Sequence, residues 1–165
     1  MTEKFIAMAY PASLIAYAFV QKGIAEGIFV TQMKLQKLVY FAHGYHLAIY
    51  GEPLLKDNIQ AWQFGPVVPK IYQEYKLYGS RPITDTDLLM TGDSKQYSLA
   101  QLDRDAISTI DYTWEALKHI SAAQLSNWTH KEESPWFKHY SPGSFDVVIP
   151  DEEIQDYFKG FLTAA

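Results

Sequence analysis

The chain has 165 residues, of which 48% are hydrophobic and 20% charged, a balance that suits one folded domain over residues 1–165 and excludes a disordered polymer. Nineteen acidic against fourteen basic residues give a net charge of −5, and the basic residues occur singly or in pairs, which argues against a nucleic-acid binder. There is no cysteine, so disulfides, thiolate metal sites and a Cys nucleophile are excluded.

Pro11 to Glu26 predicts a first helix, with Leu14, Ala18 and Ile15, Phe19 on an i, i+4 apolar face and Gly23 and Gly27 marking its exit. Thr31 is a good cap for a second helix that runs to Tyr50 and stops at Gly51. Leu35, Leu38, Val39, Ala42, Tyr45 and Ile49 make one apolar face of it, and Phe41 and Ala48 fall on another, so it is expected to pack on most of its sides. Gly44 inside this helix costs about 1 kcal/mol relative to Ala and points to close approach by another element. Gly51 to Leu54 is a turn, Asn58 to Phe64 a short strand ended by Gly65-Pro66, and Val67 to Tyr78 a third helix with Val68, Ile71, Tyr72, Tyr75 and Tyr78 on one stripe.

Residues 80 to 100 are polar and turn-rich, with short strands expected near Ile83 and from Tyr97 to Leu99. From Asp103 a helical stripe of Ala106, Ile107, Ile110, Trp114, Leu117 and Ile120 follows. Ser121 caps a helix from Ala122 to Lys131, and Ser134-Pro135 opens another turn of helix. Pro150 to Glu153 starts a last helix, with Ile154, Tyr157, Phe158 and Phe161 facing inward. The expected fold is α+β and predominantly α: a bundle of six to seven helices with a small antiparallel sheet of two to three short strands. No segment has the charged head and apolar run of a signal peptide or about 18 clean apolar residues, so no membrane association and a cytoplasmic location are expected.

The search for chemistry finds no catalytic fingerprint among the familiar metal, phosphate and nucleophile motifs. His43 and His46 sit three apart on one helix and would need His130 as a third ligand to hold a metal; ring nitrogens satisfied in an aromatic-rich core explain them with less. Ser126 and His130 are four apart, but no glycine-rich turn nearby offers an oxyanion site. The two helices around Gly23 to Phe29 have a superficial helix-turn-helix spacing, with Lys34, Gln36 and Lys37 as the only polar candidates to face outward near the start of the second. No catalytic residue, cofactor or metal is therefore assigned. Tyr, Phe and Trp make 15% of the chain, a content that suits a packed core and also the anchors of protein interfaces.

Three segments carry a family resemblance: Met33 to Tyr45 followed by Gly51 to Leu54; Ile59 to Val68 with Ile71-Tyr72; and Leu125-Ser126 through Thr129-His130 to Ser134-Pro135-Trp136. In this order and spacing they resemble the SocA-like antitoxin family, also called the Panacea domain or the phage-associated GepA-like proteins, over roughly residues 10 to 160. The resemblance implies an antitoxin of a type II toxin–antitoxin system, from a bacterium, prophage or phage, and not an enzyme. Its partner would be a cognate toxin encoded beside it, such as an alarmone synthetase or another translation inhibitor, held by direct binding, with this chain forming a homodimer or a heterotetramer with the toxin. A proteolytic adaptor that delivers the toxin to the ClpXP protease and a DNA-binding autorepressor are the alternatives. The motif positions Gln36, Tyr40, His43, Gly44, Trp62, Gly65, Pro66, Thr129, His130, Pro135 and Trp136 read as structural. Tyr40, Trp62, Trp128 and Trp136 would be core plugs, and Gln36, His43, Thr129 and His130 one hydrogen-bond network bracing the second helix. Toxin contact is expected instead from Tyr72, Tyr75, Tyr78 and Arg81 and the turn-rich stretch from Arg81 to Gln96. The ending Leu162-Thr163-Ala164-Ala165 is similar to an Ala-Ala degron, although an ordinary frayed end explains it as well.

Overall fold

A computed structural model describes residues 9–89, 97–144 and 146–164; Thr91 to Gln96, part of the turn-rich stretch expected to touch a toxin, and the terminal Ala165 lie outside the described residues. Among the described residues the chain forms seven helices: α1 (Ala12–Glu26), α2 (Gln32–Tyr50), α3 (Pro69–Tyr75), α4 (Arg104–Leu117), α5 (Ala122–Thr129), α6 (Pro135–His139) and α7 (Asp151–Ala164). Three strands, β1 (Ile59–Trp62), β2 (Gly65–Val67) and β3 (Val148–Ile149), form one antiparallel sheet in the order β2-β1-β3. The fold is predominantly α with a small sheet, as expected.

α2 is the hub. Its apolar residues run right round the helix, and α1, α3, α4, α5, α7 and β2 all pack on it. Thr31 caps it by accepting from Lys34 N at 3.3 Å, and Gly51 closes it at φ 73°, where glycine pays no Cβ penalty. Gly44 lies directly against the ring of Phe158 on α7, and a Cβ there would fall onto the ring. Short-range caps set the other starts: Asp103 for α4, Ser121 for α5 and Ser134 for α6 each accept a backbone N–H three residues on. α1 lacks a local side-chain cap and borrows one from afar, with Ala12 N donating to Asp57 Oδ1 at 2.8 Å. Three acids in the first turn of α7 oppose its dipole favourably.

Several boundaries depart from expectation. Gly65-Pro66 does not end a strand but begins the return strand, with Ala61 opposite Pro66 and Trp62 opposite Gly65. Pro is tolerated there because β2 is an edge strand. Val67 belongs to that strand, so α3 starts only at Pro69 and ends in a 3-10 turn from Lys76 to Tyr78. Tyr97 to Leu99 is no strand; Leu99 to Gln101 is a 3-10 turn capped by Ser98. Ile83 makes a single antiparallel bridge to Val30 rather than a strand. α5 stops at Thr129, two residues early, and β3 was not expected at all. Ile107 and Phe161, expected to face inward, are 43% and 48% exposed because each lies off the buried stripe of its helix. No helix among the described residues is long and apolar enough to cross a membrane.

Candidate functional site

Of the family-motif residues, Gln36, Trp62, Gly65, Pro66, Thr129, His130, Pro135 and Trp136 gather at the β1–β2 hairpin and its supports, whereas Tyr40, His43 and Gly44 pack toward α7. Gln36 is buried and gives both ends of its amide to the backbone of Val68: Val68 N donates to Oε1 at 2.9 Å and Nε2 donates to Val68 O at 3.2 Å. This two-point clamp fixes the start of α3 on α2 at no cost in unsatisfied polar atoms. Gly65 at φ +124° lies so close to Lys37 that a Cβ would come within 2.8 Å of its Cε and 3.0 Å of its Nζ. Behind the hairpin, Trp136 donates from Nε1 to Trp62 O at 2.6 Å and stacks between His130 (centroids 3.9 Å) and Tyr140 (4.8 Å). Pro135 opens α6 and is buried. Tyr40 is buried edge-on to Phe158 at 5.6 Å, and desolvation raises its pKa.

The expected network of Gln36, His43, Thr129 and His130 is not one network. His43 lies about two turns further along α2, where its Nε2 meets Asp151 Oδ1 at 2.9 Å and its Nδ1 accepts from Leu55 N at 3.3 Å. Thr129 donates to Ser126 O at 2.7 Å, and its own carbonyl accepts from Ser134 Oγ at 2.9 Å. The reason is helical phase: Gln36 and His43 are seven residues apart, on one face but two turns apart, and reach different neighbours. Trp62 and Trp128, expected as core plugs, are only half-buried, whereas Tyr40 and Trp136 are buried. His43 and His46 also diverge, His46 Nδ1 meeting Thr109 Oγ1 at 2.8 Å, and desolvation lowers the His46 pKa. Ser126 gives its hydroxyl to Phe64 O at 3.2 Å instead of to His130.

The tyrosine stripe is not a surface. Ile71 and Tyr75 share the inward face of α3, Tyr78 of the following 3-10 turn is buried beside them, and Tyr75 and Tyr78 are 0% and 4% exposed. Tyr78 donates to Asp85 O at 2.6 Å and accepts from Leu88 N at 3.1 Å, which pins the chain after Pro82. Arg81 folds back, with Nε on Tyr78 O at 3.1 Å and Nη2 on Leu77 O at 2.7 Å, and so serves the 3-10 turn. Only Tyr72 of the three tyrosines stays exposed, at 41%, because it sits about 100° round the helix from Ile71.

Tyr72 borders a groove of about 580 Å³ between the start of α2, the hairpin and α3. Trp62 stands edge-on to Tyr72 at 5.4 Å, held by its Nε1 donating to Gln60 Oε1 at 2.9 Å. Phe64 at the hairpin tip and Met33 on α2 complete an apolar rim, 62% and 43% exposed. Such a cluster of open aromatic and thioether side chains is what protein interfaces select. Lys37 also lines the groove, although its side chain is almost wholly buried. Burial lowers its pKa from 10.5 to about 8, and its charge, after desolvation, helps lower that of His130. No hydrogen bond or ion pair to the Lys37 ammonium exists among the described residues. The Gln32 amide oxygen, also in the lining, is buried without a partner there.

Gln36 and Lys37 therefore do not face outward as a recognition helix would require. α2 is enclosed by five other helices and cannot enter a groove of DNA. The open signal was the wide apolar surface of α2 itself, which leaves no outer face for residues at its start. Phe64 and Met33 were missed because exposure of an apolar residue is not readable from helical or strand period, and Gln32 because the burial of its amide oxygen is set by packing between elements.

Residues 35–137 match the family described as antitoxin SocA-like, Panacea domain. Over 154 residues the chain is 31% identical to antitoxin SocA of Caulobacter vibrioides (strain NA1000 / CB15N), covering 90% of this chain and 82% of that protein. No solved structure matches. The hairpin, α3 and all of α2 after its first turn fall within the matched span, and the chain belongs to the SocA-like antitoxin family.

Proposed function

We propose that this chain is an antitoxin of a type II system that neutralises a cognate toxin in the cytoplasm by direct binding, and that the groove between α2, the hairpin and α3 is the toxin-binding surface. The observation that carries the reading is the open apolar rim of Met33, Phe64 and Tyr72 in a member of an antitoxin family. Contiguous exposed apolar surface marks an interaction site more often than it is tolerated idly. Trp62 and Tyr72 are rigid and amphipathic, the side chains that dominate binding energy. Of the residues expected at a toxin interface, Tyr72 fits this surface directly; Tyr75, Tyr78 and Arg81 act behind it by shaping α3 and its exit. The acidic balance of −5 favours a partner whose outer surface is basic, around a core contact that is apolar. A translation inhibitor or alarmone-synthesising enzyme has the basic phosphate-binding surface this requires.

The test is co-expression with the product of the adjacent gene. Growth arrest by the neighbour alone, rescue by this chain and a stable complex of both are the expected results. Rescue accompanied by disappearance of the neighbour would replace blocking by delivery to a protease. A harmless neighbour that does not co-purify would remove the antitoxin reading.

A further inference from the structure

An ammonium group buried without an anion is a costly arrangement, because desolvation is unrelieved by any Coulombic partner. Lys37 is in that position: about 1% of its surface is exposed, it lines the groove, and none of the described carboxylates reaches it. The packing holds it there deliberately tight, since Gly65 at φ +124° leaves room for the lysine stem and for no side chain of its own. In the same lining, the Gln32 amide oxygen is buried and lacks a donor among the described residues. The lining of the apolar groove thus holds, among the described residues, one unpaired cation and one unpaired acceptor.

We infer that the groove receives an apolar segment of the partner protein that carries one acidic side chain, whose carboxylate enters to pair with the Lys37 ammonium while a backbone N–H of the same segment donates to Gln32. This rests on the reading of the groove as the toxin-binding surface. The anion comes on a side chain and not from a chain end, because the depth of Lys37 calls for a slender Asp or Glu arm, and a terminal carboxylate brings its backbone with it. The flanking apolar side chains of the segment cover Met33, Trp62, Phe64 and Tyr72 and exclude water, which strengthens the ion pair. Specificity follows from the same group: a segment with an amide or a lysine at that place leaves the buried charge unpaired and is rejected.

The test uses the full chain, immobilised, to select from a displayed library of random heptapeptides whose C-termini are fused, alongside a second library with free C-termini. The fused library is expected to yield peptides with Asp or Glu next to aromatic or aliphatic residues. In the best of them Glu→Gln should weaken binding at least tenfold to the wild type and less than twofold to Lys37→Met. If Lys37→Met does not fold, the ε-carbon resonance of Lys37 in lysine-labelled wild type serves instead, and must move with the Glu peptide and stay with the Gln peptide. Apolar peptides without an acid would overturn the role of Lys37 and leave the docking surface standing. Enrichment from the free-terminus library alone would overturn the side-chain assignment. No enrichment from either library, with toxin neutralisation intact in co-expressing cells, would overturn the peptide-receptor inference and leave the antitoxin reading untouched.

Discussion

Lys37 makes the chain less stable than it need be. Burial disfavours its charged form, so the folded protein releases the proton near pH 8 while the unfolded chain keeps it to about 10.5. Between those values the unfolded state binds more protons, and stability contributed by this group rises with pH; below pH 8 the full penalty stands. Lys37→Met should therefore be more stable than the wild type at pH 7, by up to about 3 kcal/mol. The gap should close as pH rises from 8 toward 10.5, as read by chemical denaturation at pH 7, 8.5 and 10. A variant less stable than the wild type at pH 7 would show that the ammonium has a partner the structure does not contain. Gly44 makes the opposite case. Its α-carbon meets the Phe158 ring, so Gly44→Ala should cost about 1–3 kcal/mol by overpacking, despite the better helix propensity of Ala. A gain in melting temperature would contradict the close packing of α2 on α7.

At the scale of elements, the hairpin is held from behind by one bond and from beside by another. Trp136→Phe keeps the stack on His130 but leaves the Trp62 carbonyl without its donor, and should cost roughly 1–3 kcal/mol in a thermal or denaturant melt. Tyr72→Ala, on an exposed ring, should change stability by less than about 0.5 kcal/mol while weakening partner binding tenfold or more in a pull-down titration. Most helix starts were legible because their causes are local: Thr31, Asp103, Ser121 and Ser134 each bond a backbone N–H three residues ahead. What was not legible is what distant chain decides. Val148–Ile149 becomes a strand only because Ile59 and Gln60, far away in sequence, offer it an edge. Gly65-Pro66 has the composition of a strand terminator, yet pairs with Ala61 and Trp62 as a returning edge strand. α3 is shorter than its stripe suggested, and its phase turns Tyr75 inward, with Tyr78 of the following 3-10 turn also buried and Tyr72 left outside. The candidate site was legible by half: the motif residues that build it were named, but the groove residues Met33, Phe64 and Lys37 owe their exposure or burial to packing between elements.

At the scale of the molecule, a central apolar helix sheathed by others leaves two kinds of surface. Most is acidic and solvated, in keeping with the net charge of −5. The groove is the exception, apolar at the rim and cationic within. Under the proposed toxin-binding reading, the acidic exterior steers the partner and the groove anchors it, with affinity concentrated in a few aromatic side chains. Because the side chains of Met33, Phe64 and Tyr72 make no hydrogen bond to the core among the described residues, their loss should separate binding from folding. The most direct measurement is toxin neutralisation by the double variant Phe64→Ser, Tyr72→Ser, checked for an unchanged melting temperature and co-expressed with the adjacent gene product. The groove account expects the variant to accumulate normally, to lose the complex and to leave cells arrested. Full rescue of growth with a complex of undiminished stability would show that the toxin is held elsewhere.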